Sequence, residues 1–223
     1  MFVKVCGITS EEDALVAVAM GADAVGFVFA PSSRQIAPQR AAEIVRRLPA
    51  EIVTVGVFRD ETRDRVVEIA HQAKLRAVQL QGRESPADCH WIRQRVSLLI
   101  RAFAAGDPHL ADADEYGADA IHIDSAAPGS GEVFDWSLAE GAPSNRRIIL
   151  AGGLTPANVA DAIRVVRPWG VDVSTGVESA PGRKDASKIR AFVQAAKGAE
   201  PPGPPVQGDR EVRPFDWMVD ERP

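Results

Sequence analysis

The sequence predicts a single (β/α)8 barrel, a TIM barrel, over residues 1–197, followed by a flexible tail over residues 198–223. Three observations predict it. Short β-branched runs alternate eight times with longer amphipathic stretches, the order that builds parallel sheets. Most of those runs are apolar at consecutive positions, as in parallel strands buried on both faces. An open doubly wound sheet usually needs fewer strands, whereas eight parallel strands close into a ring.

The strands are expected at Val3–Ile8, Ala24–Phe29, Ile52–Phe58, Ala77–Leu80, Ser97–Ala102, Ala120–Asp124, Arg147–Ala151 and Val171–Thr175. Between them the helical stretches are Glu11–Met20, Pro38–Leu48, Glu61–Ala73, Pro86–Arg95, Pro108–Tyr116, a short one near Asp135–Glu140, Pro156–Val166 and Lys184–Lys197. Thr9–Ser10 followed by Glu11, Glu12 and Asp13 places acids at the positive end of the first helix dipole. Ser85–Pro86 and Thr155–Pro156 each pair a capping hydroxyl with proline at the first helical position. Gly21-Ala22-Asp23-Ala24 before the second strand is echoed by Gly117-Ala118-Asp119-Ala120 before the sixth, and Gly170-Val171-Asp172-Val173 opens the eighth. In the first two, glycine ends a helix and the chain turns directly into a strand; chance recurrence of a short turn and inherited symmetry remain equal explanations.

Composition narrows the function. With 45% hydrophobic and 26% charged residues the chain is globular, and a net charge of −5 argues against nucleic acid as a partner. No apolar run reaches the roughly 18 residues of a membrane span, and no secretory signal is visible. Cys6 and Cys89 are too few for a disulfide framework, which points to a reducing cytoplasm. The final 26 residues hold six of the 16 prolines and no period of 2 or 3.6, so they cannot offset their ordering entropy.

In such a barrel chemistry belongs at the carboxyl ends of the strands. Strand one ends in Lys4-Val5-Cys6-Gly7, where Cys6 is either a base or nucleophile or simply a small buried hydrophobe. The second strand runs into a loop carrying Arg34, either a bidentate grip for a carboxylate or an ordinary surface arginine. Strand six closes on Asp124, where burial raises the pKa towards a usable general acid. His122 shares its parity and reads as a satisfied core histidine before a catalytic one. The glycine-rich loop Pro128-Gly129-Ser130-Gly131 follows, fit for a cover. Two glycine turns, Gly152-Gly153 after strand seven and Thr175-Gly176 after strand eight, make a phosphate cradle of backbone N–H groups. His71, His90, His109 and His122 never reach metal-ligand spacing, so no metal is expected. Neither a supported Ser-His-Asp arrangement nor a strand–GxGxxG–helix is present.

Lys4-Val5-Cys6-Gly7-Ile8-Thr9, Gly21 to Phe27, Ser32-Ser33-Arg34, Val55-Gly56-Val57-Phe58, Val78-Gln79-Leu80, Phe134-Asp135-Trp136, Leu150 to Leu154, Val171 to Glu178, Pro181-Gly182 and Lys184-Asp185 together resemble the phosphoribosylanthranilate isomerase family. The resemblance runs in order through residues 1–197. It implies a cofactor-free Amadori rearrangement in tryptophan biosynthesis, with a small phosphoribosyl substrate. By position it implies Asp124 as general acid, Cys6 as the thiolate base, Arg34 on the anthranilate carboxylate, and the loops at Gly153 and Gly176 on the phosphate. A thiol must be shifted down and a carboxyl up for those roles. Lys4 is expected either to lower the Cys6 thiol or to pair with an acid such as Asp172, itself counted with Gly152 and Thr175 among the substrate-binding residues. The chain departs from the family at the shortened Gly129–Gly131 loop with Glu132, at Gln81 (histidine in many members) and at His122 (usually aliphatic); none of these is expected to touch the acid or the base. A dual-substrate barrel of the histidine and tryptophan pathways would carry an aspartate on strand one, against Cys6. A barrel that binds phosphorylated ligands without turnover is the alternative from another class. The chain is expected to be a monomer or weak homodimer.

Overall fold

The computed structural model describes residues 1–125 and 146–199. Eight parallel strands, β1 (Phe2–Cys6), β2 (Ala24–Val28), β3 (Val53–Phe58), β4 (Ala77–Leu80), β5 (Leu98–Ala104), β6 (Ala120–Asp124), β7 (Ile148–Leu150) and β8 (Gly170–Val173), hydrogen-bond in sequence order and close into a ring. The closing seam pairs β8 with β1, with Lys4 opposite Asp172. The predicted barrel is therefore the one formed.

The strands are apolar on both faces because two cores need them. Ala24, Val53, Val55, Ala77, Leu98, Ile100, Ala120 and Ile149 fill the barrel interior, and Phe2 and Trp169 pack against them, stacked at 4.5 Å between centroids. Val3, Val25, Phe27, Leu99, Ile121, Leu150 and Val171 point outward into a second core shared with the helices. Those helices are α1 (Glu11–Ala19), α2 (Pro38–Val45), α3 (Arg63–Gln72), α4 (Pro86–Arg93), α5 (Val159–Val166) and α6 (Ala186–Gly198). Cys89 on α4 lies wholly in this outer core, where burial pushes its thiol up to about 11.

The caps follow local chemistry. Ser10 and Ser85 accept from the Asp13 and Asp88 amides, closing the first turns of α1 and α4. At α5 the expected Thr155 cap is displaced: the Thr155 amide donates to Asn158 Oδ1, and Asn158 stands at the cap position, so the helix starts three residues beyond Pro156. Pro108–Tyr116 does not form an α-helix but two 3-10 turns, Pro108–Leu110 and Ala113–Tyr116. A small antiparallel hairpin, β9 (Glu178–Ala180) and β10 (Arg183–Lys184), precedes α6, where the sequence alone suggests a direct passage from loop to helix. The expected short helix near Asp135–Glu140 and the Gly129–Gly131 loop lie outside the described residues.

The two Gly-Ala-Asp echoes share a physical job. Gly21 and Gly117 both have positive φ, at 94° and 61°, ending a turn that few side chains would tolerate. The aspartate two residues on then ties down the neighbouring strand. Asp23 Oδ2 accepts from the Val3 amide and Asp119 Oδ2 from the Leu99 amide, each at 2.8 Å. Asp172, third in the echo, points instead into the barrel.

Candidate active site

The carboxyl ends of the strands surround a cavity of about 180 Å³ into which Cys6, Arg34, Asp124, Gly152, Gly153, Asp172 and Thr175 all face. Residues 6, 124 and 172 share it because inward positions recur every second residue on β1, β6 and β8.

At the end of β1, Cys6 stands beside Lys4, and both lean over β2 at Gly26. A Cβ there would sit 2.7 Å from Cys6 Sγ and 3.2 Å from Lys4 Cε, so glycine is what admits the pair. Lys4, fully buried, donates to Asp172 Oδ2 at 2.7 Å. His122 Nε2 meets the same oxygen at 2.9 Å. Lys4 thus fulfils both of its expected roles: it pairs with Asp172, and its charge acts to lower the Cys6 thiol. Burial opposes the charge of Asp172, but Lys4 and His122 together hold the carboxyl below its ordinary value.

The net effect on Cys6 runs against expectation. Complete burial is the largest influence on the thiol, and Asp172 adds to it; Lys4 and Lys184 pull the other way without overcoming them. The thiol therefore lies above its ordinary value, and the thiolate is the minority form at neutral pH. Asp124 behaves as foreseen. Burial raises its carboxyl, even though His122, the Ser125 amide and Gln81 favour the charged form. Ser125 N–H donates to Oδ1 at 2.8 Å and Gln81 Nε2 to Oδ2 at 3.1 Å.

Arg34 is neither free nor on the surface. Its Nε and Nη2 clasp Glu178 Oε1 and Oε2, each at 2.8 Å, and Lys184 Nζ donates to Oε1 at 2.9 Å. Burial opposes the Glu178 charge, yet these two cations hold its carboxyl low. Gly7, with φ of 76°, passes so near that a Cβ would meet Arg34 Cδ at 2.6 Å. The clasp fixes the guanidinium at the cavity wall.

After β7, Gly152 and Gly153 both take positive φ, at 82° and 63°, and leave bare backbone on the wall. After β8, a 3-10 turn, Thr175–Val177, brings Thr175 to the same wall. Gly176 is not among the lining residues; its Cβ would lie 2.0 Å from the Leu154 carbonyl oxygen, so it lets the two loops touch. Among the described residues no cluster of three His, Cys, Asp or Glu side chains could hold a metal, and no helix is long and apolar enough to cross a membrane.

The sequence profile of the N-(5'-phosphoribosyl)anthranilate (PRA) isomerase family matches residues 3–195. The chain belongs to that family. It is similar to the N-(5'-phosphoribosyl)anthranilate isomerase of Desulforudis audaxviator, at 50% identity over 204 residues, covering 88% of this chain and 98% of that one. The Trichlorobacter lovleyi enzyme of that name is 49% identical over 88% of this chain and 98% of its own length. Among solved structures, the phosphoribosyl anthranilate isomerase of Thermus thermophilus superposes with a TM-score of 0.83 at 40% identity, covering 90% of this chain and all of that one (100%). A phosphoribosyl anthranilate isomerase in complex with reduced 1-(o-carboxyphenylamino)-1-deoxyribulose 5-phosphate aligns at 0.79 and 42% identity, covering 89% of this chain and 99% of that one.

Within this isomerase three side chains matter more than their sequence context suggests. Gln81, expected to stay clear of Asp124, donates to it. His122 is not a merely satisfied core histidine, because it shares Asp172 with Lys4 and its Nδ1 has no partner. Glu178 organises Arg34 and Lys184, and no spacing in the sequence announces it.

Proposed function

We propose that Cys6 and Asp124 catalyse the cofactor-free Amadori rearrangement of N-(5-phosphoribosyl)anthranilate to 1-(2-carboxyphenylamino)-1-deoxyribulose 5-phosphate, a step of tryptophan biosynthesis. The observation that carries this reading is that the thiol of β1 and the carboxyl of β6 face one cavity, the carboxyl held towards its protonated form by burial.

Asp124 gives its proton to the furanose ring oxygen; the C–O bond breaks and an iminium forms at C1. Cys6, as thiolate, removes the C2 proton, and the electron pair moves to make the enolamine. Loss of the enol proton and protonation at C1 then give the ketone. Asp124 ends as carboxylate and Cys6 as thiol, so a proton must pass between them, directly or through water, before the next turnover. Arg34 takes the anthranilate carboxylate on the face that Glu178 leaves open. Gly152, Gly153 and Thr175 take the phosphate with their backbone, Gly176 allowing the loops to meet, and the N-terminus of the 3-10 turn adds its dipole.

Residues 1–197 form the catalytic domain and 198–223 an appendix to it. The family match, ending at residue 195, and α6, ending at Gly198, support that boundary. Two unpaired buried thiols, Cys6 and Cys89, suit a reducing cytoplasm. The chain acts as a monomer or weak homodimer on its small substrate; one solved Thermotoga maritima structure is of monomers generated from a dimeric isomerase.

Steady-state turnover of the phosphoribosyl substrate tests the reading. Cys6→Ala and Asp124→Asn are each expected to lose about 10²–10⁴ in kcat, the worth of a positioned acid or base. Full activity in either variant refutes the assignment.

A further inference from the structure

Among the described residues, four buried side-chain polar atoms have no hydrogen-bond partner: Gln79 Oε1, His122 Nδ1, Asp172 Oδ1 and Arg101 Nε. The first three belong to residues that line the cavity; Arg101 does not. An orphaned buried acceptor is costly and persists where a function retains it.

All three cavity atoms are acceptors. Asp172 Oδ1 is one by nature. His122 Nε2 faces a carboxylate oxygen that only accepts, so Nε2 carries a ring hydrogen, and in the tautomer with that single hydrogen Nδ1 is a lone pair. For Gln79 the orientation is fixed through a relay. Asp124 Oδ2 accepts from Gln81, so Gln81 presents Nε2 to it and turns Oε1 towards Gln79; Gln79 therefore points Nε2 back at 3.0 Å and leaves Oε1 bare. Acid, relay and orphan are thus one connected chain.

From this geometry we infer that Gln79 and His122, with the free oxygen of Asp172, form a hydroxyl-accepting subsite on the floor of the cavity. It rests on the isomerase reading and assigns the part of the substrate that the acid, the base and the anion grips leave unassigned. A floor of bare acceptors repels phosphate and carboxylate oxygens and matches only donors. The hydroxylated middle of the sugar is the donor-bearing part of the substrate. The three residues sit on β4, β6 and β8, below the loops that carry Arg34 and Gly153, so the anionic ends lie above and the polyol beneath. Ring opening frees one more sugar hydroxyl, so three acceptors favour the opened chain over the furanose, binding that strengthens along the reaction path. Through the relay, a hydroxyl donating to Gln79 Oε1 also polarises the amides towards Asp124.

The test is calorimetric binding of reduced 1-(o-carboxyphenylamino)-1-deoxyribulose 5-phosphate and of analogues each lacking one sugar hydroxyl. Wild-type protein should bind the parent, and at least one deoxy analogue about tenfold more weakly, the worth of one good hydrogen bond. In Gln79→Met or His122→Leu the parent should weaken by a similar factor, and its advantage over that analogue should vanish. Failure of wild type to bind the parent overturns the isomerase reading and the subsite with it. Parent binding with every deoxy analogue within twofold overturns the subsite alone, and needs no variant that might fold poorly.

Discussion

Lys4→Met separates two arrangements of the acid and base that a simple activity measurement would confuse. Asp124 and Cys6 start from ordinary values of 3.8 and 9.0, and burial moves both upward. Both move in the same direction from well-separated starting values, and the expected profile is the one in which the acid is the lower of the two. The active form, protonated acid with ionised thiol, is then a minor species between the two values. In that regime the rising limb of kcat/KM against pH reports Asp124 and the falling limb Cys6. Lys4 acts on the thiol and is not among the groups that act on Asp124. Removing the cation beside it raises the thiol further. The plateau should therefore fall by about tenfold or more and the falling limb move to higher pH to match, while the rising limb stays. The variant also strips Asp172 of its 2.7 Å partner, at a cost of roughly 3–5 kcal/mol for a broken buried pair. His122, still at 2.9 Å, keeps the loss towards the lower figure. A thermal melt checks that the fold survives, and the pH profile is then read on folded protein. Movement of the rising limb instead, or a profile identical to wild type, refutes the reasoning.

Other outcomes follow from the same geometry. Asp124→Asn should raise the melting temperature at neutral pH even as it removes activity: a carboxyl whose folded pKa is raised disfavours folding at every pH where the unfolded chain ionises it. An unchanged or lower melting point would contradict that sign. Glu178 is held below its ordinary value of 4.5, so its contribution is present above that pH and lost as pH falls through the folded value. Glu178→Gln should flatten this acid limb of stability and raise KM several-fold through a loosened Arg34, with kcat less affected; a kcat-only defect would contradict it. Gly176→Ala forces a Cβ to within 2.0 Å of the Leu154 carbonyl, so the loops after β7 and β8 must part. A KM increase of about tenfold or more is expected, and inorganic phosphate should inhibit correspondingly less. Deleting residues 200–223 should leave turnover and melting temperature within error of the full chain, and a loss of either would move the domain boundary.

The strands were legible because burial on both faces leaves an apolar run that periodicity detects, and β4 was located to the residue, at Ala77–Leu80. Helix starts were legible where a hydroxyl caps directly, as at Ser85, and not at α5, where Asn158 outcompetes Thr155 from three residues downstream. Asp124 and Cys6 could be found because each ends an apolar strand at the catalytic rim. The direction of the thiol shift could not, since it depends on how burial weighs against Lys4, Lys184 and Asp172 from two other parts of the chain. Gln79 and Gln81 did leave a trace, one polar residue inside an apolar strand and a second at the same parity just past its end. Glu178 closes a recognisable motif but its role left no trace, because its worth comes from meeting Arg34 across 144 residues.

The Lys4–Asp172 pair joins residues 168 positions apart, across the seam where the last strand meets the first. Before β8 arrives, Lys4 lacks its counter-charge, His122 lacks the oxygen they share, and the wall that Thr175 completes is missing. A growing chain thus holds its thiol from the outset, yet the candidate acid, base and cavity wall come together only when the final strand docks. On the proposed reading, turnover doubles as a readout of ring closure, and a barrel lacking β8 is expected to be silent.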